Sequence, residues 1–571
     1  MTSSTPIHAP SDTTYDVVVL GSGAAGLAAA LTASLRGLRT LVVEKAASFG
    51  GASAISGGAI WIPGNDQAVS AGLDSSLDSA RDYLRHTVGA GFDADLVQTY
   101  LERGSEALRF LERNSELSFR VRPFSPDYHP ELPGFSTGGR TLEIAEYDGR
   151  RLGRHFRHLR KPPEGMLVFG GMMVNRVDIQ HFLNASRSLA SAWHCAKLLA
   201  RYARDRLSHP RGTRLTTGNA LVARLATSVL ARGVPLWLDT QAQSLIVEDG
   251  AVRGVVVLHE GREVALRARG GVVLATGGYG AAPEAAQDRP ATGQAHWSMS
   301  PDSNTGDGLA LGRAAGAAAG EHLASNFFWA PVSVLRHADG RIEKFPHLVT
   351  DRAKPGIIAI NRAGRRFVNE ANSYHRFVQA MHDDPAANTP CHLICDATAL
   401  KAYGMGLARP GPSDNSPLVK AGYLRQANSL PELAQAIGVD LAALHTTVRR
   451  YNEQAAQGQD PDFGKGSTPY NLSMGDPNHQ PNACLAPLLK APFYAIELHP
   501  GDLGSARGLR TDAQANALGP NGVPVPGLYA AGNDMNSVMD GAYPGPGITL
   551  GPALTFGYIA ASHIADRLSA A

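Results

Sequence analysis

The sequence predicts an α/β protein in which a Rossmann-like nucleotide-binding domain encloses a second, inserted α/β domain. Two observations predict this fold. Residues 15–45 read as a β-branched strand, a glycine turn, an alanine-rich helix and a second strand, which is the order of a βαβ unit. Apolar strands closed by glycine turns recur at 271–278 and again near the far end, at 527–533. Because similar pieces lie towards both ends, we expect the middle of the chain to be an insertion.

The expected domain limits follow from these positions. Residues 14–333 and 497–571 would form the nucleotide-binding domain, and residues 334–496 would form an inserted catalytic domain that caps the site. Residues 1–13 are expected to be a flexible tail, since they lack the charged start, apolar centre and cleavage site of a signal peptide.

Composition excludes several classes of protein. Of 571 residues, 43% are hydrophobic and 18% are charged, which is typical of a globular chain with a buried core. The net charge is only +2, so no overall field favours nucleic acid as a partner. The four cysteines show no spacing typical of zinc, haem or an iron–sulfur cluster. We therefore expect no metal and a reducing, cytoplasmic location.

A nucleotide-binding motif opens the chain. Gly21, Gly23 and Gly26 form G-x-G-x-x-G directly after the first strand. In this motif the first glycine makes a tight turn, the second admits a pyrophosphate, and the third lets helix and strand pack closely. Glu44 ends the second strand, where a carboxylate can accept hydrogen bonds from ribose hydroxyls. The pyrophosphate of a dinucleotide would therefore lie at the helix N-terminus.

The next segment favours a flavin over a nicotinamide. Residues 49–64 read FGGASAISGGAIWIPG, and their glycines and serines supply N–H and hydroxyl donors for a diphosphate and a flavin edge. FAD is therefore the expected cofactor. The candidate cofactor-binding residues are Gly21, Gly23, Ala24, Ala25, Gly26, Glu44, Lys45, Gly51, Ala52, Ser53, Ser56, Gly57, Gly277, Gly278, Asp307, Gly532, Asn533, Gly547 and Leu550.

Five segments together resemble the fumarate reductase and succinate dehydrogenase flavoprotein superfamily. They are the βαβ start, FGG-x-S at 49–53, NTGDG at 304–308, GRRFVNE at 364–370 and AAGN at 530–533. Covalent attachment of flavin in that superfamily uses a histidine after FGG. No histidine stands between residues 50 and 63, so the resemblance implies non-covalent FAD. The histidine and arginine set of its dicarboxylate reductases is missing, which disfavours that activity.

Three further segments resemble the 3-ketosteroid Δ1-dehydrogenases. They are FSPDYHPELPG at 124–134, RRFVNEANSYHRF at 365–377 and DGAYPGPGITLGPALTFG at 540–557. The resemblance implies an FAD-dependent oxidoreductase of steroid degradation that introduces a C1–C2 double bond into the A-ring. The family positions that match here, and that would be catalytic, are Tyr128, Tyr374, Tyr543 and Gly547.

The resemblance also implies a role for each residue. The Tyr543 hydroxyl and the Gly547 N–H would hydrogen-bond the C3 oxygen and stabilise enolate character, as an oxyanion hole does. Tyr374 would take the C2 proton with help from Tyr128, while the hydride from C1 goes to flavin N5. His129 and His375 stand beside two of these tyrosines, but adjacent residues usually point in different directions, so neither is the expected base.

Other functions stay open at this point. A related flavoenzyme could act on another ring bond, as a Δ4-dehydrogenase does, or on a different cyclic enone. A non-catalytic sterol-binding flavoprotein would bind steroid without reducing the flavin. The expected partners are a 3-ketosteroid substrate and an external electron acceptor, either a quinone or another carrier, because the sequence carries no haem or iron–sulfur motif.

A basic insert at 150–211 has no counterpart in the motifs above. It opens with RRLGRHFRHLRK at 150–161. Residues 178–207 then predict one basic amphipathic helix, with apolar positions Phe182, Leu189, Trp193, Ala196, Leu199, Ala203 and Leu207 and basic positions Arg187, Lys197, Arg201 and Arg204. Two interpretations remain: peripheral contact with the anionic cytoplasmic membrane, or packing against a domain or a second subunit.

Overall fold

The structure is a computed structural model. It describes residues 13–186, 188–291, 293–321 and 323–570. Most of the expected tail, residues 1–12, and the basic position Arg187 lie outside the described residues.

The strands are numbered in chain order. The first eleven are β1 Thr14–Leu20, β2 Thr40–Val43, β3 Ala59–Trp61, β4 Phe119–Val121, β5 Thr141–Ile144, β6 Tyr147–Asp148, β7 Arg214–Leu215, β8 Leu236–Trp237, β9 Gln241–Glu248, β10 Ala251–His259 and β11 Arg262–Leu274. The remaining strands are β12 Trp297–Ser298, β13 Phe327–Trp329, β14 Val332–Arg336, β15 Ile342–Pro346, β16 Ile357–Ile360, β17 Cys391–Cys395, β18 Arg425–Ala427, β19 Phe493–Leu498, β20 Gly501–Ser505, β21 Asn516–Leu518 and β22 Pro524–Ala530.

The α-helices are numbered in the same way. They are α1 Ala24–Leu35, α2 Gly51–Ala54, α3 Asp66–Ser70, α4 Leu77–Val88, α5 Ala94–Arg113, α6 Arg176–Asn184, α7 Leu189–Arg206, α8 Thr217–Ala231, α9 Asp307–Ala314, α10 Tyr374–Asp383, α11 Pro385–Asn388, α12 Ala397–Tyr403, α13 Ser416–Lys420, α14 Leu430–Ile437, α15 Leu441–Ala456, α16 Pro469–Met474 and α17 Leu550–Ala570. Short 3₁₀ segments lie at Gly89–Gly91, Gly149–His158, Glu164–Met166, Pro283–Asp288 and Gly532–Asp534.

The main sheet joins both ends of the chain. Its order is β21-β22-β11-β1-β2-β8; β10 also pairs antiparallel with β11, and β9 pairs antiparallel with β10. Strands β22, β11, β1, β2 and β8 are mutually parallel. Their β-branched residues are buried on both faces, as expected for a parallel sheet covered by helices. The carboxyl ends of these strands therefore meet at one edge, where ligands bind in open α/β sheets.

A second sheet forms the core of the inserted region. Strands β16, β17, β19 and β18 pair antiparallel in that order. One face packs with Phe377 of α10, and the other packs with Leu444 and Val448 of α15. Tyr279 and Trp329, which precede the expected limit at residue 334, belong to the first of these buried clusters. The domain limits themselves stay a prediction.

The predicted single helix over 178–207 is wrong. The structure has two helices, α6 and α7, which form a hairpin. The Ser188 hydroxyl accepts a hydrogen bond from the Ser191 N–H at 3.3 Å and so begins a new helix. His181 of α6 stacks on His194 of α7 with ring centroids 4.2 Å apart. Periodicity alone did not reveal this break, because apolar residues continue on both sides of the cap.

Helix length and hydropathy also bear on membrane contact. Among the described residues, no helix has both the length and the apolar character needed to cross a bilayer.

Candidate active site

A cradle for a nucleotide lies at the carboxyl ends of the parallel strands. Helix α1 begins after Gly23, and the Ser53 Oγ accepts a hydrogen bond from the Ala24 N–H at 2.9 Å. A Cβ on Gly26 would lie 2.0 Å from the Gly21 carbonyl oxygen, so helix and turn pack as closely as the motif requires. A Cβ on Gly23 would meet only Ser53 Oγ, at 3.4 Å. The helix N-terminus is thus open to an anion.

The predicted ribose-binding carboxylate is buried at the end of β2. Glu44 accepts hydrogen bonds from the Ser22 N–H at 3.1 Å and from the Ala46 N–H at 2.9 Å. The neighbouring Lys45 forms an ion pair with Asp307 at 2.8 Å. These contacts fix Glu44 beside the first glycine turn, where its remaining lone pairs suit an adenosine ribose. The hydrogen-bond donors of the glycine turns, the Glu44 carboxylate and the open N-terminus of α1 together fit FAD.

The other predicted cofactor residues lie on the turns around this cradle. Gly51, Ala52 and Ser53 form α2, with Ser56 and Gly57 just after it; Gly277 and Gly278 follow β11; Asp307 begins α9; Gly532 and Asn533 follow β22; and Gly547 and Leu550 lie at the start of α17. Sequence reasoning missed Asp534. Its buried carboxylate accepts hydrogen bonds from the Thr276 hydroxyl at 2.9 Å and the Gly278 N–H at 3.0 Å. It therefore joins the glycine turns after β11 and β22.

Three of the four predicted catalytic residues form one aromatic cluster. The Tyr128 hydroxyl donates to the Tyr374 hydroxyl at 3.4 Å. Tyr543 stacks on Tyr128, with ring centroids 5.6 Å apart, and meets the edge of Tyr374 at 5.1 Å. No side chain in this cluster is more than 5% exposed. Residues that are 246 positions apart in the chain are thus in contact.

The Pro544 carbonyl, next to Tyr543, holds the segment of Tyr128 by a backbone hydrogen bond. It accepts hydrogen bonds from the Tyr128 N–H at 2.8 Å and from the Tyr83 hydroxyl at 2.7 Å. Asp127, which precedes Tyr128 in the chain, accepts hydrogen bonds from Trp61 Nε1 at 2.8 Å and from Arg140 Nη1 at 2.6 Å. Tyr128 is therefore fixed against Tyr543 by buried polar contacts on both of its sides.

The fourth predicted residue, Gly547, lies where α17 begins. Its φ is +97°, and a Cβ would lie 2.5 Å from the Ile60 carbonyl carbon of β3. Only glycine fits such a close approach in this conformation. The Gly547 carbonyl accepts hydrogen bonds from the Gly551 N–H at 2.9 Å and the Trp61 N–H at 3.2 Å. Gly547 thus follows Tyr543 on a loop that β3 holds in place.

Two aromatic residues at the site were missed by sequence reasoning. Tyr470 of α16 lies 4.9 Å from the Tyr128 ring, measured between centroids, and Phe328 of β13 meets the edge of Tyr543 at 5.6 Å. Neither belongs to a motif, and the chain holds sixteen tyrosines and seventeen phenylalanines. Only the tertiary fold distinguishes these two from the rest.

Burial controls the titration of this cluster. It raises the pKa of Tyr374 and of Tyr128 well above 10, since removal from water disfavours the phenolate. Burial raises the pKa of Tyr543 to about 12, although hydrogen bonding to Tyr374 and Thr549 opposes the shift. It lowers the pKa of His375 to about 3 and that of His129 to about 4. Both histidines are therefore neutral at pH 7.

Comparisons with known proteins agree with this geometry. A family model described as an FAD binding domain matches residues 16–550. The chain belongs to this family of FAD-binding proteins. It is 36% identical to a 3-oxosteroid 1-dehydrogenase of Mycolicibacterium smegmatis over 97% of this chain and 98% of that one. It is 39% identical to a 4-oxocyclohex-2-ene-1-carboxylate 5-dehydrogenase of Sinomonas cyclohexanicum, over 97% and 94%.

A solved structure is similar to this flavoprotein over nearly its whole length. The 3-ketosteroid Δ1-dehydrogenase from Sterolibacterium denitrificans, in complex with 1,4-androstadiene-3,17-dione, superimposes with a TM-score of 0.90 at 38% identity. The match covers 97% of this chain and 100% of that one. The family resemblance, the FAD cofactor and the α/β fold with a capping domain are confirmed. The chain is an FAD-dependent oxidoreductase.

Proposed function

We propose that this enzyme introduces a C1–C2 double bond into the A-ring of a 3-ketosteroid. The observation that carries the proposal is the buried contact between the Tyr128 and Tyr374 hydroxyls, with Tyr543 packed against both rings. Within the cluster, Tyr543 lies on the segment that leads into α17, whose start is among the predicted cofactor positions. The relatives at 36% identity and the steroid complex at 38% identity support the same substrate class.

Two donors would stabilise negative charge on the C3 oxygen. The Tyr543 hydroxyl and the Gly547 N–H, four residues apart on one loop, would both donate to it. One such donor contributes about 2.7–4 kcal/mol to the lowering of a reaction barrier. As enolate character develops, the C2–H bond becomes more acidic, because the resulting charge is delocalised onto the stabilised oxygen.

Tyr374 would then remove the C2 proton. Its phenolate form accepts the proton and becomes a neutral phenol, while the Tyr128 hydroxyl donates a hydrogen bond that stabilises the phenolate beforehand. When bound, FAD supplies the acceptor for the hydride that leaves C1. The buried phenyl rings around these hydroxyls keep water away from the reacting atoms.

A second candidate function is favoured by the 39% identical relative, whose name specifies a cyclic enone with a carboxylate. Recognition of a carboxylate needs a cation with free donors. Near the tyrosines, Arg352 donates to backbone carbonyls, Arg122 forms an ion pair with Glu143, and Arg376 forms one with Glu131. Because these contacts already engage all three of these cations, the site favours an uncharged ketosteroid over the carboxylate.

Anaerobic mixing tests the two substrate classes directly. The purified yellow protein is mixed with androst-4-ene-3,17-dione or with 4-oxocyclohex-2-ene-1-carboxylate, and flavin absorbance and product mass are followed together. We expect the steroid to bleach the oxidised flavin band and to yield a product lighter by two hydrogens, desaturated at C1–C2. Bleaching by the carboxylate alone would favour the second function, and steroid binding without bleaching would contradict catalysis.

We also infer that electrons leave to a separate acceptor, either a quinone or another carrier. The described residues contain four cysteines, all buried and unpaired, and their spacing suits no iron–sulfur cluster. The sequence therefore gives no support for a second redox centre in the same chain that could take electrons from the flavin.

We further propose that helix α7 contacts an anionic bilayer at the cytoplasmic side. Its exposed face carries an apolar stripe, which we define as Leu189, Trp193, Ala196, Ala200, Ala203 and Leu207. Leu189 is 91% exposed, Leu207 87% and Trp193 64%. Lys197 lies 5.2 Å from the Trp193 ring, and Arg204 and Arg206 are exposed beside the stripe. An apolar face with flanking cations is typical of an interfacial helix.

A further inference from the structure

A buried cation, Arg352, lies close to the tyrosine cluster. Arg352 is only 3% exposed. Its guanidinium donates to four backbone carbonyls: His347 through Nε at 2.8 Å, Leu348 through Nη2 at 3.0 Å, and Glu370 and Asn372 through Nη1 at 2.8 and 3.0 Å. Carbonyls satisfy the donors of a guanidinium but do not neutralise its charge.

No described carboxylate pairs with this guanidinium. The neighbouring Asp351 is bound elsewhere, since it accepts from His347 Nδ1 at 2.6 Å, from the Gly406 N–H at 3.0 Å and from the Arg352 backbone N–H at 2.8 Å. A buried charge without an ion-pair partner is costly and usually has a function. The groups near the guanidinium indicate which of them its charge stabilises.

The position of Arg352 relates it to Tyr374. Two of its acceptors, Glu370 and Asn372, lie just before Tyr374, the first residue of α10. The Arg352 Cζ lies 5.2 Å from the ring centroid of Phe377, one turn further along that helix. Arg352 and Tyr470 also line one small cavity together. The cation is thus bound to the segment that leads into α10 and lies close to Tyr470, which packs on Tyr128.

Electrostatics supports the same relation. Burial lowers the pKa of Arg352, and negative charge on Tyr470, Asp351, Tyr128 and Tyr374 would oppose this shift. In return, Arg352 opposes the rise in the pKa of Tyr470 that burial causes. The positive charge of Arg352 therefore interacts with Tyr470 and favours negative charge on the neighbouring Tyr128 and Tyr374.

We propose that Arg352 is a positioning residue for the base: its charge stabilises the phenolate of the Tyr374–Tyr128 pair, and its carbonyl contacts hold the first turn of α10. This inference rests on the proposed function. It requires no new bond, since the phenolate that Arg352 stabilises takes the C2 proton and becomes neutral. Loss of the cation would lower the phenolate population and displace the pH profile of flavin reduction to higher pH.

Other titratable or charged groups around the phenols do not account for such a displacement. His129 and His375 have pKa values lowered to about 4 and about 3, so neither titrates between pH 7 and 10. The groups that face the pair from the surrounding elements are Tyr470, Tyr543, His129, His375, Arg122, Arg352, Arg376 and Glu131.

The test is the pH profile of anaerobic flavin reduction in two variants of Arg352. Arg352→Gln removes the charge, and we expect the rate at pH 7 to fall about tenfold or more, with the profile displaced upward by about one pH unit. Arg352→Lys keeps a charge but loses the planar fork, so we expect it to retain more of the rate than Arg352→Gln. Because the profile has no plateau below pH 10, its displacement is measured as a loss of similar size at each pH, and equal losses in the two variants would contradict the electrostatic role.

A second pair of variants changes an exposed neighbour and leaves the buried Arg352 in place. Val349 lines the same cavity and is 49% exposed. Val349→Glu would place a carboxylate beside the guanidinium and should displace the profile in the same upward direction, whereas the matched control Val349→Gln should not. If both Val349 variants give the wild-type profile, the proposal is overturned even if Arg352→Gln fails to fold.

These results are distinguishable from failure of the proposed function. If Tyr374→Phe reduces flavin at the wild-type rate, Tyr374 is not the base and the proposed mechanism fails. If Tyr374 is required but neither the Arg352 variants nor Val349→Glu displace the profile, only the role of Arg352 fails.

Discussion

At the scale of residues, the proposed mechanism depends on a phenol that acts as a base in the protein interior. Burial raises the pKa of Tyr374 and Tyr128 well above 10, so the reactive phenolate is scarce at neutral pH. In the proposed mechanism, the Tyr128 hydroxyl, 3.4 Å from that of Tyr374, donates a hydrogen bond to that form. The neighbouring His129 and His375 are neutral at pH 7, so loss of a proton from a histidine cation does not make the rate depend on pH above 7.

The rate of flavin reduction should therefore rise with pH above 7. Below the pKa of the base, each pH unit increases the phenolate fraction about tenfold, and a pKa well above 10 leaves no plateau near neutrality. The measurement is the reductive half-reaction alone, under anaerobic conditions, from about pH 6.5 to 9.5. A flat profile over this range would contradict a phenolic base, and it is the profile that a neutral histidine base would give.

Sequence motifs led to the residues that the structure brings together, but not to all of their neighbours. YPGPG places Tyr543 and Gly547 on one tight loop, which the sequence shows directly. Tyr470 and Arg352 belong to no motif and are distant from the motifs along the chain, so only packing of the two regions reveals their positions. Asp534 directly follows the AAGN segment, but its hydrogen bonds to the turn after β11 depend on the tertiary fold.

At the scale of elements, helix α7 shows that apolar periodicity predicts the presence of a helix better than it predicts which face of that helix is buried. The apolar spacing over 189–207 is real, yet in this structure the apolar stripe faces outward, and the buried side consists of Ser191, Cys195 and Asp205. Asp205 accepts hydrogen bonds from the Thr213 N–H and hydroxyl, both at 2.8 Å. Polar contacts therefore fix the inner face and leave the stripe free for a partner.

Replacement of the three large residues of the stripe should abolish binding to vesicles. We expect the triple variant Leu189→Ser, Trp193→Ser, Leu207→Ser to lose flotation with vesicles of phosphatidylglycerol and phosphatidylcholine, because it removes the apolar contact. Steroid-dependent flavin reduction should be unchanged, since these residues lie outside the tyrosine cluster.

The matched control replaces three exposed apolar residues elsewhere. Val69, Leu489 and Val523 are 60%, 73% and 57% exposed, and their replacement by serine should leave flotation intact. If wild-type protein does not bind anionic vesicles, or if the stripe variant only converts a dimer into a monomer, the bilayer is not the partner of α7.

At the scale of the whole molecule, the site is assembled from two regions. Tyr128 and Tyr543 come from the chain segments that surround the FAD-binding sheet, whereas Tyr374 and Tyr470 come from the inserted region. The glycine motif and its two strands predicted the parallel sheet, because they specify local structure. The extent of the insertion is harder to predict, since Tyr279 and Trp329 pack into the capping core across the expected limit.

The most direct test of the central claim is flavin reduction by steroid in Tyr374→Phe. The variant removes the one hydroxyl that the mechanism uses as a base and keeps the ring that packs on Tyr543 at 5.1 Å. Tyr403→Phe is the matched control, because that hydroxyl donates to Asp476 at 2.9 Å, away from the cluster. A positioned base contributes roughly 10²–10⁴-fold to the rate.

Both variants are mixed anaerobically with androst-4-ene-3,17-dione, and FAD content and steroid binding are measured beforehand. We expect Tyr374→Phe to retain FAD and to bind steroid, but to reduce the flavin at least about 100-fold more slowly than the wild type, while Tyr403→Phe reduces it at the normal rate. Retention of more than about a tenth of the wild-type rate in Tyr374→Phe would contradict its role as the base.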